Sequence, residues 1–256
     1  MSAKKPEWMS NPKIIAVLEQ LGTTQPRDVV ELVQAPDDAV AQNACWLLGQ
    51  FRNKRYSQAL LHALYSNRST LWMPSAGALS QLDSKRPTRH LIALLLDSQR
   101  ASEQRYAAGY ALAFTNCALR DPRVTDAFVT VVQDQHVPSN VRGVVAEGLG
   151  NMFGGCFGGP GDQESRYDET GQVLMGLLHD PAPEVRFWAA FAVGSLRYRQ
   201  ALPALKQLAR TDTAWFGGWW TVGEEASDAI DRIEGREPPA RVGLTKEQAL
   251  QQGSTV

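Results

Sequence analysis

Histidine and cysteine are the side chains best suited to bind a metal or to attack a substrate, and this chain has four histidines and three cysteines. No two of them stand at the spacing of a metal site, and neither Gly-x-Ser-x-Gly nor His-Glu-x-x-His occurs. We therefore expect no catalytic residue, no metal and no cofactor. The seven side chains are His62, His90, His136, His179, Cys45, Cys117 and Cys156.

One glycine-rich stretch invites comparison with a phosphate-binding loop. It runs from Phe153 to Tyr167 and contains five glycines. A phosphate-binding loop follows a strand and ends in Gly-Lys-Ser/Thr, whereas this stretch follows a helical pattern and lacks that ending. We expect no nucleotide site here, while a binding loop between repeats and a plain linker both stay open.

The composition excludes several classes of function. The chain has 256 residues, of which 43% are hydrophobic, and its 26 basic and 27 acidic residues leave a net charge of −1. This balance argues against a broad nucleic-acid-binding surface. No apolar run reaches the length of a membrane helix, and the lysines near Met1 precede no apolar core of a secretory signal. Because the three cysteines are odd in number and far apart, the sequence fits a cytoplasmic protein with reduced thiols.

A helical pattern recurs along most of the chain and is clearest over Asp180–Leu196. There a turn with two prolines precedes an apolar face made of Val185, Ala189 and Val193. Six copies align on this stretch, with anchors at positions 49, 80, 113, 150, 194 and 231 that lie 31 to 44 residues apart. Such a drifting period is typical of two-helix repeats, which bury their apolar faces only against neighbouring copies.

The pattern predicts an all-α solenoid of about six two-helix repeats over residues 26–234. Residues 1–25 are expected to hold a capping helix, residues 153–168 and 211–221 to be long loops, and residues 235–256 to form a flexible tail. One position in the repeat is mostly small, which predicts close approach of the helices that carry it. The residues there are Ala44, Ala108, Ala189 and Ala226, with Ser75 and Val145 as exceptions. The predicted partner helices are Pro26–Gln34, Tyr56–Tyr65, Thr88–Leu96, Val124–Gln133, Thr170–His179 and Leu202–Ala209.

The residues Asp180-Pro-x-Pro-Glu-Val-Arg, followed by Ala201-Leu-Pro-Ala-Leu, resemble a HEAT repeat of the phycobilisome-lyase-like type. The resemblance spans about residues 26–234 and implies a right-handed α-α superhelix whose Val-Arg helices line its concave side. It also implies a ladder between repeats, built from an aspartate in the turn and the arginine after the valine. The residues that match this ladder are Arg105, Asp134, Arg142, Asp180 and Arg186.

Aromatic residues recur at two further positions of the repeat, on the side opposite the apolar face. They predict a concave aromatic surface that binds an extended peptide or helix of another protein. The alternative is that these rings pack between neighbouring helices or under the long loops. The predicted partner-binding residues are Trp46, Tyr106, Tyr110, Phe187 and Phe191.

Two features near the C-terminus carry open alternatives. The stretch Trp215–Trp220 is either a plug over the end of the core or a surface for a partner. Glu224, Glu225, Asp228 and Asp231 form an acidic face that we interpret as a solvated cap.

The favoured function is therefore a non-catalytic protein-protein interaction scaffold or regulator. The resemblance also admits a bilin lyase or a chromophore-handling protein, and a DNA-binding protein like the alkylpurine DNA glycosylases ranks below both. The His-Glu pairs of the di-iron HEAT protein deoxyhypusine hydroxylase are absent.

Overall fold

The computed structural model describes residues 10–23, 25–115, 118, 121–153, 164–251 and 254–255. Within this part the chain is all-α, as predicted, and its extended contacts amount to two isolated bridges. The chain divides into two compact units, Met1–Ala118 (unit 1) and Leu119–Val256 (unit 2). None of the helices in the described ranges is long and apolar enough to cross a membrane.

The described part of unit 1 contains a first helix and three helix pairs. The first helix buries Ile14 and Leu18 and packs against the helix that carries the first repeat copy. The helices are α1 (Pro12–Gln20), α2 (Pro26–Leu32), α3 (Asp38–Gln50), α4 (Ser57–Tyr65), α5 (Trp72–Leu82), α6 (Thr88–Leu96) and α7 (Ser102–Ala113).

Among the residues that the structure describes in unit 2 are three further pairs and a short helix near the C-terminus. Its helices are α8 (Pro122–Gln133), α9 (Ser139–Phe153), α10 (Glu164–Leu177), α11 (Pro183–Leu196), α12 (Leu202–Thr211), α13 (Val222–Glu234) and α14 (Lys246–Gln251). The six aligned copies fall on the odd-numbered helices α3 to α13, which we call the aligned helices.

Within each unit, consecutive aligned helices pack directly against one another. The residues at the small repeat position are all 0% exposed, including the two exceptions, Ser75 and Val145. Val185 and Val193 on the same face of α11 are equally buried. The apolar face deduced from the repeat alignment is therefore the core of both units.

The anchor glycines explain how closely these helices meet. A Cβ atom added at Gly194 would lie 2.7 Å from the Cα of Ala229 on the next aligned helix. The same construction gives 2.8 Å from Gly150 to Ala192 and 2.9 Å from Gly49 to Ala78. Since real Cβ contacts are never this short, only glycine permits the observed spacing at these crossings.

Two of the predicted irregular segments are more ordered than expected. Helix α10 begins at Glu164, so the predicted loop 153–168 is wrong over its last five residues, and residues 154–163 lie outside the described part. The tail after residue 235 is not free, because it contains α14 with a fully buried Ala249 and returns to unit 2.

The cysteines divide between described and undescribed segments. Cys45 is fully buried in α3, with its Sγ 3.6 Å from the Oγ of Ser75. Burial raises the pKa of this thiol, which favours the protonated, unreactive form. Cys117 and Cys156 lie outside the described residues.

Replacing Gly194 with alanine is expected to destabilise the chain by about 1–3 kcal/mol, because the new methyl group meets the backbone of Ala229. Gly77 is the matched control. It lies inside α5 with nothing within 4 Å of an added Cβ, so Gly77→Ala should stabilise by about 0.5–1 kcal/mol. Urea unfolding measures both, and equal midpoints for the two variants would contradict the close-crossing account.

Candidate functional site

The densest group of aromatic side chains in the described part of unit 2 joins α11 to the loop before α13. Neighbouring ring centroids lie 5.1 to 6.0 Å apart, mostly in edge-on or tilted arrangements. Such geometries are favourable for aromatic pairs. We call this group the aromatic cluster; its members are Phe187, Trp188, Phe191, Phe216, Trp219 and Trp220.

The prediction that Phe187 projects outward is wrong. Its side chain is 1% exposed, because the loop folds over this side of α11 and places Phe216 at 5.1 Å and Trp220 at 5.9 Å from its ring. A projection around the helix axis shows the side on which a residue lies, but it cannot show that a distant loop covers that side. Part of the tryptophan-rich loop thus covers the core.

The edge of the aromatic cluster is nevertheless partly exposed. Trp188 and Phe191 are half-buried, with ring centroids 5.7 Å apart, and Trp219 is 39% exposed. Trp188 was missed in the sequence because its repeat position is not otherwise aromatic. The feature in the sequence that accompanies Trp188 is a glycine in the preceding aligned helix. A Cβ at Gly143 would come within 3.2 Å of the Cδ1 atom of Trp188, so the glycine leaves room for the ring.

Two carboxyl groups belong to the same crossing of α9 and α11. An added Cβ at Gly143 would lie 3.9 Å from the Cγ of Glu184, and one at Gly150 would lie 3.1 Å from the Cε1 of Phe191. Glu147 stands between these glycines, one helical turn from each, on the same side of α9. Glu147 and Glu184 therefore border the strip where Trp188 and Phe191 meet α9.

Neither carboxyl group is fully compensated within the described residues. Burial raises the pKa of Glu147 to about 7, with no charge or hydrogen bond opposing it. The Oε1 atom of Glu184 is buried and has no hydrogen-bond partner. Buried acceptors are nearly always satisfied, so the Oε1 of Glu184 indicates a place where a donor is to be supplied. Glu147 is half-buried beside it, and its raised pKa marks a carboxyl group without a cation. We call Glu147, Glu184, Trp188, Phe191 and Trp219 the acid-aromatic surface.

The interpretation of the acidic residues of α13 as a solvated cap is wrong for Glu225 and Asp228, which are buried, whereas Glu224 and Asp231 are partly exposed. Glu225 is 1% exposed and accepts hydrogen bonds from Arg232 at 2.7 Å and from the indole of Trp220 at 2.9 Å. Burial raises the pKa of Glu225, and the charge of Arg232 partly opposes it. Asp228 is 2% exposed and pairs with Arg241 of the C-terminal segment. Internal arginines, not water, neutralise this face.

The arginines after the valine connect turns to neighbouring repeats. The guanidinium of Arg142 is paired with Asp180 in the next turn, where both side chains are almost fully buried. Arg186 makes the equivalent contact to Asp212 at 2.7 Å and also donates to the carbonyl of Asp180. Asp212 was not recognised from the sequence, although it follows a partner helix as Asp180 does.

The remaining ladder residues make local contacts. Arg105 is buried and donates from Nε to the carbonyl of Leu95 at 2.9 Å. Asp134 accepts from the backbone N–H of His136 and lies 3.1 Å from the Nδ1 of that histidine. These contacts hold the turns before α7 and α9.

The three predicted contact residues of unit 1 are all half-buried: Trp46 in α3, and Tyr106 and Tyr110 in α7. The ring of Tyr110 lies 4.6 Å from that of Phe114 in a tilted stack. No group of three or more His, Cys, Asp or Glu side chains in the described ranges is placed to hold a metal ion.

Sequence comparison gives one family match. A family model described as HEAT repeats matches residues 26–113 and 159–217, which is more than half of the chain. No curated protein sequence matches the chain significantly.

Solved structures with the same arrangement of helices include engineered and natural proteins. An engineered protein has a TM-score of 0.55 at 20% identity and covers 83% of this chain and 98% of its own. A designed armadillo repeat protein in complex with the peptide (KR)4 has a TM-score of 0.51 at 18% identity, covering 82% and 100%. Kap121p bound to Pho4p has a TM-score of 0.56 at 14% identity, covering 94% of this chain and 26% of its own. At these identities the likeness establishes the fold alone.

Replacing Asp180 with asparagine is expected to destabilise the chain by about 3–5 kcal/mol, because Arg142 is left as a buried, uncompensated charge. The matched control is Asp126→Asn, which removes an exposed ion pair with Arg166 and should cost less than about 1 kcal/mol. Guanidinium unfolding at pH 7 measures both, and equal effects would argue against a structural ladder.

The pH dependence follows from the pKa of Asp180. Burial alone would raise this pKa, but hydrogen bonds from Arg142 and from the N–H of Ala182 lower it below its usual value. The ionised Asp180 therefore stabilises the folded chain fully above about pH 4, and this contribution to the free energy of unfolding is lost as the pH falls through the folded-state pKa. The difference in free energy of unfolding between wild type and Asp180→Asn, measured by guanidinium unfolding, should therefore become smaller below pH 4.

Proposed function

This chain belongs to the family of HEAT-repeat proteins, and we propose that it is a non-catalytic interaction module that binds a cationic segment of a partner protein. The binding site is the acid-aromatic surface of unit 2. The observation that carries the proposal is the pairing of partly exposed aromatic rings with two desolvated carboxyl groups at one helix crossing. Stacked helical repeats are typical of proteins that bind other proteins.

The aromatic part of the surface supplies the affinity. Trp188, Phe191 and Trp219 hold one another in edge-on contacts, so their rings are already ordered before a partner arrives. Rigid tryptophan and phenylalanine side chains lose little conformational entropy on binding and dominate the energetics of many interfaces. A partner that covers them removes apolar surface from water without first having to order it.

The carboxyl groups supply the selectivity. Near pH 7 both the neutral and the ionised form of the Glu147 carboxyl group are populated. A lysine or arginine of the partner would stabilise the ionised form. The unpaired Oε1 of Glu184 offers an acceptor to the same cation. A neutral or acidic segment would leave the Oε1 of Glu184 unpaired and would cover Glu147 without supplying a cation, which costs free energy. We therefore infer a basic segment with adjacent apolar residues.

One structural neighbour supports a basic partner segment, and another supports a protein partner in general. The designed armadillo repeat protein is in complex with a peptide of alternating lysine and arginine, whereas Kap121p is bound to the protein Pho4p. In unit 1, we propose Trp46, Tyr106 and Tyr110 as further contact residues, on the basis of their shared repeat positions and partial exposure.

Selection of peptides from a phage-displayed random library on the purified chain tests this function. We expect the retained peptides to carry lysine or arginine beside an apolar residue, and Trp188→Ala to weaken their binding by about tenfold or more. Leu96→Ala serves as the control, since it removes a 43% exposed apolar side chain from α6 in unit 1. Retained peptides that bind the Trp188→Ala chain as well as wild type would refute this surface.

The same peptides should bind more tightly as the pH rises from 6 to 8, because Glu147 ionises over this range and then pairs with the peptide cation. In the Glu147→Gln chain this pH dependence should disappear. Fluorescence anisotropy of labelled peptides measures both, and an unchanged pH profile in the variant would exclude Glu147 from the site.

A further inference from the structure

The C-terminal segment returns to the surface of the last repeat. Helix α13 ends at Glu234 and is capped by Gly235, whose φ of 79° reverses the chain. The following residues run back along α13 and the tryptophan-rich loop, where the N–H of Leu244 donates to the carbonyl of Trp219 at 2.9 Å. Thr255 exchanges backbone hydrogen bonds with Trp215 and Thr213 at 2.7 and 2.9 Å.

Arg241 is the centre of this return. Its Nε and Nη2 donate to the two carboxylate oxygens of Asp228 at 2.7 and 2.8 Å, and its Nη1 donates to Glu224 at 2.9 Å. Its Nη2 also reaches the carbonyl of Glu224 at 3.3 Å, and the guanidinium lies 5.9 Å from the ring centre of Trp220. We call Trp220, Glu224 and Asp228 the arginine pocket.

The arginine pocket fits a guanidinium rather than an ammonium group. A bidentate contact to a 2% exposed carboxylate, with an aromatic ring nearby, matches the planar fork of arginine. A lysine would satisfy one oxygen of Asp228 and leave the other without its donor. The three residues of the pocket lie on α13 and in the loop before it, outside the segment that fills it.

The backbone of the segment is fitted closely, while its apolar side chains are divided between buried and exposed positions. A Cβ atom at Gly243 would lie 2.0 Å from the carbonyl oxygen of Gly218, so only glycine allows this approach. Ala249 is fully buried, whereas Val242 is 84% exposed and Leu250 is 54% exposed. Arg241, a few backbone hydrogen bonds and the small side chain of Ala249 therefore make much of the attachment. Contacts of this limited extent are of the kind that opens locally while the rest of a fold stays intact.

Open space lies directly beside the docked arginine. A cleft of about 470 Å³ is lined by Asp212, Thr221, Ser227 and Ser254, together with Glu224 and Arg241 themselves. An extended chain entering this cleft would reach the arginine pocket and meet Arg241 there. The incoming chain and Arg241 therefore could not occupy the arginine pocket at the same time.

We propose that the C-terminal segment is a tethered ligand of the arginine pocket, and that an arginine-containing extended segment of a partner protein exchanges with it. This proposal deepens the proposed function by adding a second contact point and a built-in competitor. A tethered ligand acts at an effective concentration on the order of millimolar, so it reduces the apparent affinity of an incoming segment. Releasing the tether should expose the pocket.

A labelled peptide of residues 237–251 is the probe, and fluorescence anisotropy on the full chain is the measurement. We expect the Arg241→Ala chain to bind the probe about tenfold or more tightly than wild type, because its own segment no longer fills the pocket. Gly243→Val releases the segment without touching the pocket and should also strengthen binding. The same peptide carrying Arg241→Ala should bind none of these chains.

Pocket variants separate recognition from release. Adding Glu224→Gln to the Arg241→Ala chain should return the affinity for the probe towards the wild-type value. Glu224 is partly exposed, so this variant is expected to fold where a change at buried Asp228 would risk unfolding. Hydrogen exchange should show faster exchange of the Leu244 amide in Arg241→Ala than in wild type, with Arg241→Lys in between.

Two results would overturn the proposal. The first is equal binding of the probe to wild type and to both release variants. The second is a wild-type dimer in light scattering that Arg241→Ala abolishes, which would assign the pocket to the segment of a second copy. If either result is obtained while the library-selected peptides still bind through Trp188, the exchange at the arginine pocket is refuted and the acid-aromatic surface is not. The two outcomes can be told apart because the two tests change different residues.

Discussion

Backbone contact between consecutive aligned helices is the constraint on which the rest of the structure depends. At Gly49, Gly150 and Gly194 the next helix comes so close that no side chain fits between them. This spacing fixes the register of each aligned helix against its neighbour. Every side chain on the exposed part of the helix, including Trp188 and Glu147, is placed by that register. The small residues in the core therefore determine where the proposed binding residues lie.

Unit 2 uses this rigid frame to hold charges and rings that would otherwise be costly. Arg142 and Asp180 neutralise each other inside the ladder, and Glu225 relies on Arg232 and on the indole of Trp220. Glu147 and Glu184 are exceptions. Burial raises the pKa of Glu147 to about 7 without an opposing cation in the described residues, and the buried Oε1 of Glu184 has no hydrogen-bond partner there. Uncompensated groups of this kind are typical of functional sites.

Most of the fold could be predicted from the sequence, because a repeated pattern states the same packing solution several times. The small position at Ala189 predicted the close approach of the aligned helices, while the contacts at Gly49, Gly150 and Gly194 emerge only from the structure. The site could be predicted only in part. Phe191 is half-buried at the edge of the aromatic cluster, but Phe187 is covered by a loop from 25 or more residues away in the chain. Arg241 carried no repeat signal, since its partners are brought to it by the reversal at Gly235.

The ionisation of Glu147, followed by carbon-13 NMR of its side-chain carboxyl group, decides whether the acid-aromatic surface binds a cationic segment. We expect a pKa near 7 in the free chain, and saturation with a library-selected cationic peptide should lower it by at least about one unit, because the peptide supplies the missing cation. A pKa near the ordinary value of about 4.3 in the free chain, or one that the bound peptide leaves unchanged, would contradict the acid-aromatic surface as the binding site.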